Sequence, residues 1–336
     1  MILVTGAAGL VGRELVGQLA AAGARVRAVD LRPMESAGGA DQMVGDLLDA
    51  GVCTRACVDA RTIVHTAARQ YHSNVPRWGR RHFFDANRGM TRNLVDAALA
   101  AGAGHLVFIS SDMVYGLPLG RPFTESDTPR PIGPYGESKV ASEAICSAAR
   151  DRGLKVTIFR PRLIIGPGRL GVLQKLFDRI RAGLSVPMLG DGRNRYQMVA
   201  VSDVVAACRL AIEKPVDATL NLGSADPPTV RALLESLCER AGSHSRPRAW
   251  PRLLARGGLW GLHAFRAAPL SPEQFRIADV DYVLDTSRAM QLLGWRPHYS
   301  DADMLWSAYE TYVDGLSPRA EPGRGSSASL AHHLTS

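Results

Sequence analysis

The apolar positions at the start of the chain alternate between short continuous runs and longer helical patterns. Residues 2–5 (ILVT) form a β-branched run that stops at a glycine turn. Residues 11–24 repeat apolar side chains at helical spacing, and residues 25–30 form a second run that ends in Asp30. Strand, helix and strand within about thirty residues predict one βαβ unit.

The same alternation continues to residue 161. It predicts strands at 60–68, 105–111 and 155–161, and helices at 91–103 and 134–153. Continuous apolar strands between amphipathic helices are typical of a parallel sheet covered on both faces. The predicted fold class is therefore α/β, with a doubly wound parallel sheet.

The pattern loosens after residue 161, where a glycine- and proline-rich stretch precedes helices at 172–183 and 229–242 and a short strand at 219–224. We expect residues 1–161 to form mainly the sheet domain, with returning segments near 196–224. Residues 162–315 then form mainly a smaller, interleaved substrate-binding part. Residues 317–336 are polar and lack periodicity, so we expect a disordered tail.

The formal net charge of +8 is consistent with an anionic partner. Only four of the 40 basic residues are lysines, and the arginines are scattered rather than clustered. No recognisable DNA- or RNA-binding motif accompanies the charge, so we expect a small-molecule substrate and no nucleic acid.

The five cysteines are odd in number and their spacing gives no disulfide framework. Cys53 and Cys57 lie one helical turn apart without a second ligand pair, so no metal site is predicted. Free thiols suit a reducing cytosol. The N-terminus lacks a signal-peptide pattern, and no apolar run reaches about 18 residues. These features predict a cytoplasmic protein without an integral membrane span.

A glycine pattern follows the first strand and opens the first helix. TGAAGLVG places Gly6, Gly9 and Gly12 at the turn, and Asp30 ends the next strand. In this context the glycines allow a dinucleotide pyrophosphate to approach the helix N-terminus. A carboxylate at Asp30 would bind ribose hydroxyls and repel a 2′-phosphate, which favours NAD. Arg13 and Arg32 lie nearby and keep NADP as the less favoured alternative; a tight turn without a ligand is the structural alternative.

Three residues are candidates for acid–base chemistry. Tyr135 begins a helix and Lys139 lies one turn further on the same face. A nearby ammonium group and a helix N-terminus favour the phenolate and bring the tyrosine towards use as a base. Ser111 ends a strand, where parallel sheets present their chemistry. The alternative is a tyrosine that packs on the sheet beside a solvated lysine.

Several motifs together resemble the extended short-chain dehydrogenase/reductase superfamily, in its NAD-dependent epimerase/dehydratase branch. They are TGAAGLVG, HTAA, SSDMVYG, YGESK and RPRLIIGPG, and the resemblance spans roughly residues 1–310. It implies a Rossmann-type fold and a Ser111, Tyr135 and Lys139 triad, with Asn87 near the active site. It also implies a homodimer formed through a four-helix bundle of 91–103 and 136–150. The predicted cofactor-binding residues are Gly6, Gly9, Leu10, Val11, Gly12, Asp30, Asp46, Leu47, Thr66, Ala67, Ala68, Tyr135 and Lys139.

Two departures from the family pattern bear on the reaction. Nucleotide-sugar 4,6-dehydratases carry an Asp-Glu pair after the Ser/Thr, whereas this chain has Asp112 and Met113. A thioether cannot shuttle a proton, so 4,6-dehydration is disfavoured. The RP-x-N-x-x-GP segment has Leu163 in place of the asparagine that meets the nucleotide sugar, a variant that also resembles 3β-hydroxysteroid dehydrogenase-like members.

Three functions therefore remain open: an epimerase or oxidoreductase of a nucleotide-linked sugar, a 3β-hydroxysteroid or other secondary-alcohol dehydrogenase, and a dinucleotide-sensing protein without activity. The first two begin with removal of a hydride from a carbinol carbon and of its hydroxyl proton by Tyr135. Candidate substrate contacts are Asn87, Asp112, Met113, Arg162 and Arg195. Residues 245–265 are basic, apolar and tryptophan-containing, and could form a lid or lie on a membrane surface.

Overall fold

A computed structural model describes residues 1–69, 79–167, 173–251 and 276–316, with residues 79–82 described by their backbone alone. The strands are β1 (Ile2–Thr5), β2 (Val26–Asp30), β3 (Asp41–Val44), β4 (Thr62–His65), β5 (His105–Ile109), β6 (Lys155–Pro161), β7 (Leu163–Ile165), β8 (Val186–Leu189), β9 (Met198–Ala200), β10 (Ala218–Leu222) and β11 (Pro247–Trp250). The helices are α1 (Leu10–Ala21), α2 (Ala50–Cys57), α3 (Gly79–Ala100), α4 (Pro134–Arg150), α5 (Leu173–Arg181), α6 (Val201–Glu213), α7 (Val230–Arg240), α8 (Ser287–Leu293) and α9 (Asp301–Leu316), and a 3₁₀ turn spans Asp112–Val114.

Seven strands form one parallel sheet in the order β10-β6-β5-β4-β1-β2-β3. The chain runs outwards from β1 in one direction to β3, and then returns to β4 and runs in the other direction. Crossovers in both directions place helices on both faces, and the ends of β1 and β4 define the switch point where such sheets bind ligands. The predicted Rossmann-type α/β fold is confirmed.

Each face of the sheet has its own apolar core. Helices α1 and α6 cover one face, with Leu15, Val204 and Trp295 fully buried. Helices α2, α3 and α4 cover the other, where Leu94 and Cys146 are fully buried. The sheet is therefore inaccessible on both faces, and its carboxyl edge is where polar side chains of several strands converge.

Residues beyond β6 build a second layer next to that edge. Strand β7 pairs with β9, and β8 pairs with β11, each in parallel register. A third apolar core, which includes Phe177 and Tyr309, joins this part to α5, α7 and α9. Strand β10 of the chain's second half completes the central sheet. Within the described ranges we find no helix with the length and apolar character of a membrane span.

Several predicted boundaries differ from the structure. Helix α3 begins at Gly79 rather than at residue 91, because its first three turns carry polar residues between the buried Phe83, Ala86 and Met90. Strand β5 ends at Ile109, since Ser111 leaves the sheet to cap the 3₁₀ turn. Strand β3 was not predicted, because it is almost entirely solvent-exposed and its sequence therefore has no apolar run. The tail at 317–336 and residues 252–265 lie outside the described residues.

Helix α4 packs tightly against the 3₁₀ turn at Gly136. A Cβ atom added there would lie 2.4 Å from the main-chain oxygen of Met113. We expect Gly136→Ala to lower the free energy of unfolding by about 1–3 kcal/mol, because backbone must move to admit the methyl group. The control is Gly17→Ala in α1, where nothing lies within 4 Å and the greater helix propensity of alanine should stabilise the protein by about 0.5–1 kcal/mol. Urea unfolding measures both; equal effects of the two substitutions would contradict the close packing.

Candidate active site

The glycine loop after β1 is shaped by close backbone contacts. Gly6 has φ of +71°, and a Cβ there would lie 2.5 Å from the nitrogen of Ala67. A Cβ at Gly12 would lie 2.2 Å from the oxygen of Gly6, and one at Gly9 would lie 3.0 Å from the same atom. The loop thus requires glycine at positions 6 and 12 in order to turn tightly into α1, and leaves little room for a side chain at position 9.

This loop fits the diphosphate of a dinucleotide. Helix α1 is capped by Gly9 without a side-chain hydrogen bond, and its first turn contains no acidic residue. Its first N–H groups therefore have no competing side-chain acceptor and would bind an anion, assisted by the helix dipole. Asp30 supports the loop, since its Oδ2 accepts a hydrogen bond from the nitrogen of Ala8 at 3.0 Å. A carboxylate oxygen has two acceptor positions, so Asp30 retains capacity for ribose hydroxyls.

The end of β4 lies directly against the glycine loop. The Thr66 hydroxyl donates to the main-chain oxygen of Thr5 at 2.8 Å and so ties β4 to β1. His65 is buried between the hydroxyls of Thr5 and Thr91, at 2.7 and 3.3 Å. Burial, reinforced by the charge of Lys139, lowers the pKa of His65 to about 3. His65 is therefore a neutral structural residue that joins two strands and a helix.

The remaining predicted cofactor residues divide between core and surface. Val11 and Leu47 are buried in the two cores that cover the sheet, so only their backbone can face a ligand. Leu10, Ala67 and Ala68 are half-buried, and the two alanines lie in the segment that follows β4. Asp46 is half-buried and accepts a hydrogen bond from the nitrogen of Leu48. Their roles in cofactor binding remain predictions.

The three candidate catalytic residues lie around the end of β5. The Lys139 ammonium donates to the oxygen of Ile109 at 2.7 Å and lies 6.0 Å from the centre of the Tyr135 ring. Ser111 follows two residues after Ile109 and is 8% exposed. Gly136 presses the first turn of α4 against the 3₁₀ turn that Ser111 caps. The fold therefore brings the serine, the tyrosine and the lysine to one place at the carboxyl edge of the sheet.

Lys139 is fully enclosed, between the ring of Phe108 at 4.9 Å and the backbone of β5. Burial lowers the pKa of its ammonium to about 8, against the opposing charge of Glu143 one turn further along α4. A lysine in this state can change its protonation near neutral pH, and its charge is available to a neighbouring phenol.

Asn87 supports the helix that carries Tyr135. Its amide exchanges two hydrogen bonds with the backbone of Arg69 and donates to the hydroxyl of Ser138 at 2.9 Å. Ser138 in turn donates to the main-chain oxygen of Tyr135 at 2.7 Å. This arrangement connects α3 to the first turn of α4. The amide of Asn87 thus positions Tyr135 through Ser138. The substrate contact predicted for Asn87 stays a prediction.

Asp112 and Arg162 form an ion pair of 2.7 Å beside Ser111, with the two side chains 6% and 2% exposed. The Arg162 guanidinium lies against the rings of Tyr196 and Tyr282, at 4.2 and 4.4 Å from their centres. The sequence placed both charged residues among the substrate contacts but did not predict that they pair with each other. Tyr196 and Tyr282 were missed entirely, since nothing in their sequence surroundings distinguishes them from core tyrosines.

A second buried ion pair escaped the sequence analysis. Arg160 donates two hydrogen bonds to the carboxylate of Glu143, at 3.0 and 2.6 Å, and Ser110 donates a third at 2.5 Å. The same arginine reaches the hydroxyl of Tyr115, which donates to Asn221 of β10 at 2.7 Å. The available signal was the glutamate one turn after Lys139 in YGESKVASE and the arginine two residues before Arg162.

The other predicted substrate residues lie at the margin. Met113 is half-buried and packs on the apolar cluster that includes Phe123 and Tyr282, while its N–H donates to Ser111. The side chain of Arg195 is exposed, and its backbone nitrogen is bound by Asp281 at 2.7 Å. Only its neighbour Tyr196 extends into the buried cluster around Arg162.

Comparison with known sequences identifies the family. Residues 2–223 match the model of the NAD dependent epimerase/dehydratase family. An uncharacterised protein of Sinorhizobium fredii is 35% identical over 326 residues, which cover 96% of this chain and 80% of that protein. A UDP-glucose 4-epimerase of Mycolicibacterium smegmatis is 28% identical, covering 92% of this chain and 97% of the relative. A 3β-hydroxysteroid dehydrogenase/isomerase of Mycobacterium tuberculosis is 27% identical, covering 93% and 90%.

Solved structures agree with the sequence comparison. MoeE5 in complex with UDP-glucuronic acid and NAD superimposes with a TM-score of 0.76 at 28% identity, covering 94% of this chain and 99% of that one. The UDP-glucose 4-epimerase of Thermotoga maritima with UDP-glucose gives a TM-score of 0.77 at 27% identity, with the same coverage.

The chain belongs to the NAD-dependent epimerase/dehydratase family. The resemblance to extended short-chain dehydrogenases/reductases is confirmed, as are the assignments of an enzyme and of NAD as the cofactor. A purely sensing role is thereby set aside. The family includes enzymes that act on very different alcohols, so membership alone does not select a substrate.

The low pKa of Lys139 predicts a specific dependence of stability on pH. Between pH of about 8 and 10.5 the unfolded chain keeps a proton on Lys139 that the folded protein has released, so the folded protein gains stability as pH rises through this window. We expect Lys139→Met to be more stable than the wild type at pH 7, with an advantage that shrinks towards pH 10.5. Urea unfolding at several pH values measures this difference, in which titrating groups that are not coupled to Lys139 cancel; combining each variant with Tyr135→Phe removes the coupled phenol.

The control for this experiment is Lys214→Met, because Lys214 is exposed at the end of α6. Its substitution should leave the pH dependence of the wild type unchanged. A difference between wild type and Lys139→Met that stays constant from pH 7 to 10.5 would contradict the buried, easily deprotonated lysine.

Proposed function

We propose that this protein is an NAD-dependent oxidoreductase or epimerase that moves a hydride at a secondary alcohol carbon of a nucleotide-linked sugar. The observation that carries the proposal is the convergence of Ser111, Tyr135 and Lys139 at the end of β5, next to a glycine loop suited to a diphosphate. An acid–base pair beside a dinucleotide cradle serves hydride transfer to or from a carbinol carbon.

Each residue has a separate role in the first step of the proposed reaction. NAD, when bound, supplies the hydride acceptor. Tyr135 acts as a phenolate, which the charge of Lys139 stabilises, and becomes a neutral phenol when it removes the hydroxyl proton of the substrate. Ser111 holds the substrate oxygen through its hydroxyl. Glu143 and Asn87 keep α4, and with it Tyr135, in place. The ketone product is either reduced again from the other face or released.

Epimerisation or ketoreduction is favoured over 4,6-dehydration. Dehydration needs a proton shuttle beside the serine, and Met113 carries a thioether at that position. Asp112 is held by Arg162 at 2.7 Å, so its carboxylate is occupied by a permanent cation. Neither side chain is suited to carrying a proton to a leaving hydroxyl group.

A nucleotide-linked sugar is supported by the UDP-sugar ligands named for the two solved structures above. The alternative is a 3β-hydroxysteroid or other apolar secondary alcohol. It is favoured by Leu163, which is half-buried and packs on the third apolar core in place of the family's asparagine. The relative from Mycobacterium tuberculosis carries this activity in its name.

We also propose a homodimer formed through α3 and α4. A shallow groove between them is lined by small and apolar side chains of α4, among them Ala141, Ala144, Ile145 and Ala148, and is flanked by Arg92 and Asp96 of α3. Small residues allow two helices of a second copy to approach closely. The five free, buried cysteines are consistent with a reducing compartment such as the cytoplasm.

Removing the hydroxyl group of Tyr135 tests its proposed role as the general base. We expect Tyr135→Phe to bind NAD with the affinity of the wild type and to lose turnover by at least about a hundredfold, because a general base contributes that much. The control is Tyr299→Phe, since Tyr299 is 48% exposed and should retain activity. NAD binding is measured by calorimetry, and turnover by NADH absorbance or product analysis. Wild-type turnover by Tyr135→Phe on the true substrate would refute the triad.

A thermal-shift panel tests the substrate class. In the presence of NAD, nucleotide sugars such as UDP-glucose and UDP-glucuronic acid should raise the melting temperature, because a ligand that binds only the folded state stabilises it. Sterol-like alcohols form the second arm of the panel. Stabilisation by the sterols alone would overturn the nucleotide-sugar assignment and favour the alternative.

A further inference from the structure

A chain of hydrogen bonds leads from the candidate catalytic serine to a buried arginine. The Ser111 oxygen lies 3.0 Å from Oδ1 of Asp112, and the second oxygen of that carboxylate lies 2.7 Å from Nη1 of Arg162. All three residues are at most 8% exposed. Because solvent is excluded, the geometry of these bonds determines what the serine can offer to a ligand.

The direction of each hydrogen bond follows from the chemistry of the groups. Arginine only donates, and a carboxylate paired with it carries no proton and only accepts. The hydrogen of Ser111 therefore points to Asp112. The N–H of Met113 donates to the same serine oxygen at 3.2 Å. Counting the bonds that the described residues make, one acceptor position remains on the Ser111 oxygen, and its hydrogen is already committed to Asp112.

We propose that Asp112, held by Arg162, is a positioning residue that makes the Ser111 hydroxyl a hydrogen-bond acceptor towards the substrate, so that the site prefers the substrate alcohol over the corresponding ketone. A secondary alcohol donates its hydrogen to the free acceptor position. A ketone has no hydrogen to donate, and Ser111 must first turn its own hydrogen away from Asp112. The inference deepens the proposed function and rests on it for the site at which the substrate binds.

The surroundings keep this arrangement in place. The rings of Tyr196 and Tyr282 both lie against the Arg162 guanidinium, and the hydroxyl of Tyr282 donates to the main-chain oxygen of Asp112 at 3.0 Å. A buried charge without its partner is strongly unfavourable, so neither member of the ion pair can turn away alone. Both tyrosines come from the second half of the chain, which thereby controls the hydroxyl of Ser111.

Substitution of Asp112 by asparagine reverses the polarity at the serine. Arg162 continues to donate, so the side-chain oxygen of asparagine faces the guanidinium and its NH₂ group faces Ser111. The NH₂ group donates to the serine oxygen, and the hydrogen of Ser111 becomes free to bind a ketone. The variant is nearly identical in shape to the wild type, which separates the polarity from packing.

The experiment measures affinities for an alcohol and its ketone on NAD⁺-loaded protein. All variants carry Tyr135→Phe, so that binding is observed without turnover. The first pair is UDP-6-deoxyglucose and UDP-4-keto-6-deoxyglucose, and the second is epiandrosterone and 5α-androstanedione. If only the steroid pair binds, the proposed sugar substrate is wrong, while the alcohol-to-ketone comparison is still made on the steroids. The two failures are thus distinguishable.

We expect Asp112→Asn to reduce the preference for the alcohol by about five- to a hundredfold, as one hydrogen bond is lost for the alcohol and one is gained for the ketone. The same substitution in a Ser111→Ala background should leave the preference unchanged, because Asp112 acts through Ser111. An unchanged preference in Asp112→Asn overturns the proposal. An equal shift in the Ser111→Ala background also overturns it, since Asp112 would then act on the substrate directly.

Arg162 provides an independent pair of variants. Arg162→Lys keeps a cation beside Asp112 and should preserve the alcohol preference. Arg162→Met removes the group that orients the Asp112 carboxylate towards Ser111, so the preference should fall as in Asp112→Asn. A purely structural role predicts equal losses of alcohol and ketone affinity in every variant, with a ratio that does not move, and that result contradicts the proposal.

Discussion

The active site depends on two arginines at the end of strand β6. Arg160 binds Glu143 and so holds α4, which carries Tyr135 and Lys139. Arg162, two residues further on, binds Asp112 and so holds the 3₁₀ turn that Ser111 caps. One strand end therefore positions both halves of the candidate triad. The two ion pairs are buried, so breaking either of them would leave an isolated charge, and such an arrangement admits little movement.

These ion pairs also connect the two halves of the chain. Arg160 reaches Asn221 of β10 through the hydroxyl of Tyr115, and Arg162 lies against the rings of Tyr196 and Tyr282. The second half of the chain thus helps to position the candidate catalytic residues of the first half. The side chains next to the candidate serine are therefore held by residues of the second half of the chain.

The groups around Lys139 keep the pKa of its ammonium closer to neutrality than that of an ordinary lysine. Burial lowers the pKa of this lysine, and the neighbouring His65 is neutral because burial and the lysine's own charge lower its pKa as well. Glu143 opposes the effect on Lys139, but its carboxylate is shared with Arg160 and Ser110. A glutamate without that arginine would stabilise the ammonium more strongly and move its pKa away from neutrality.

Local apolar periods and turn chemistry were enough to predict β1, β2, β4, β5, β6 and β10 of the central sheet, the glycine loop and the spacing of Tyr135 and Lys139, but not the exposed strand β3 or the short strands β7, β8 and β11. The sequence by itself did not determine where α3 begins or where β5 ends, since those boundaries depend on side chains that are buried only after packing. Asp112 and Arg162 were recognised as single candidates, but their pairing joins residues 50 positions apart. Glu143 and Arg160 were passed over for the same reason. Such contacts are fixed by the folded chain, because a buried charge acquires its partner, and hence its role, when the sheet brings distant segments together.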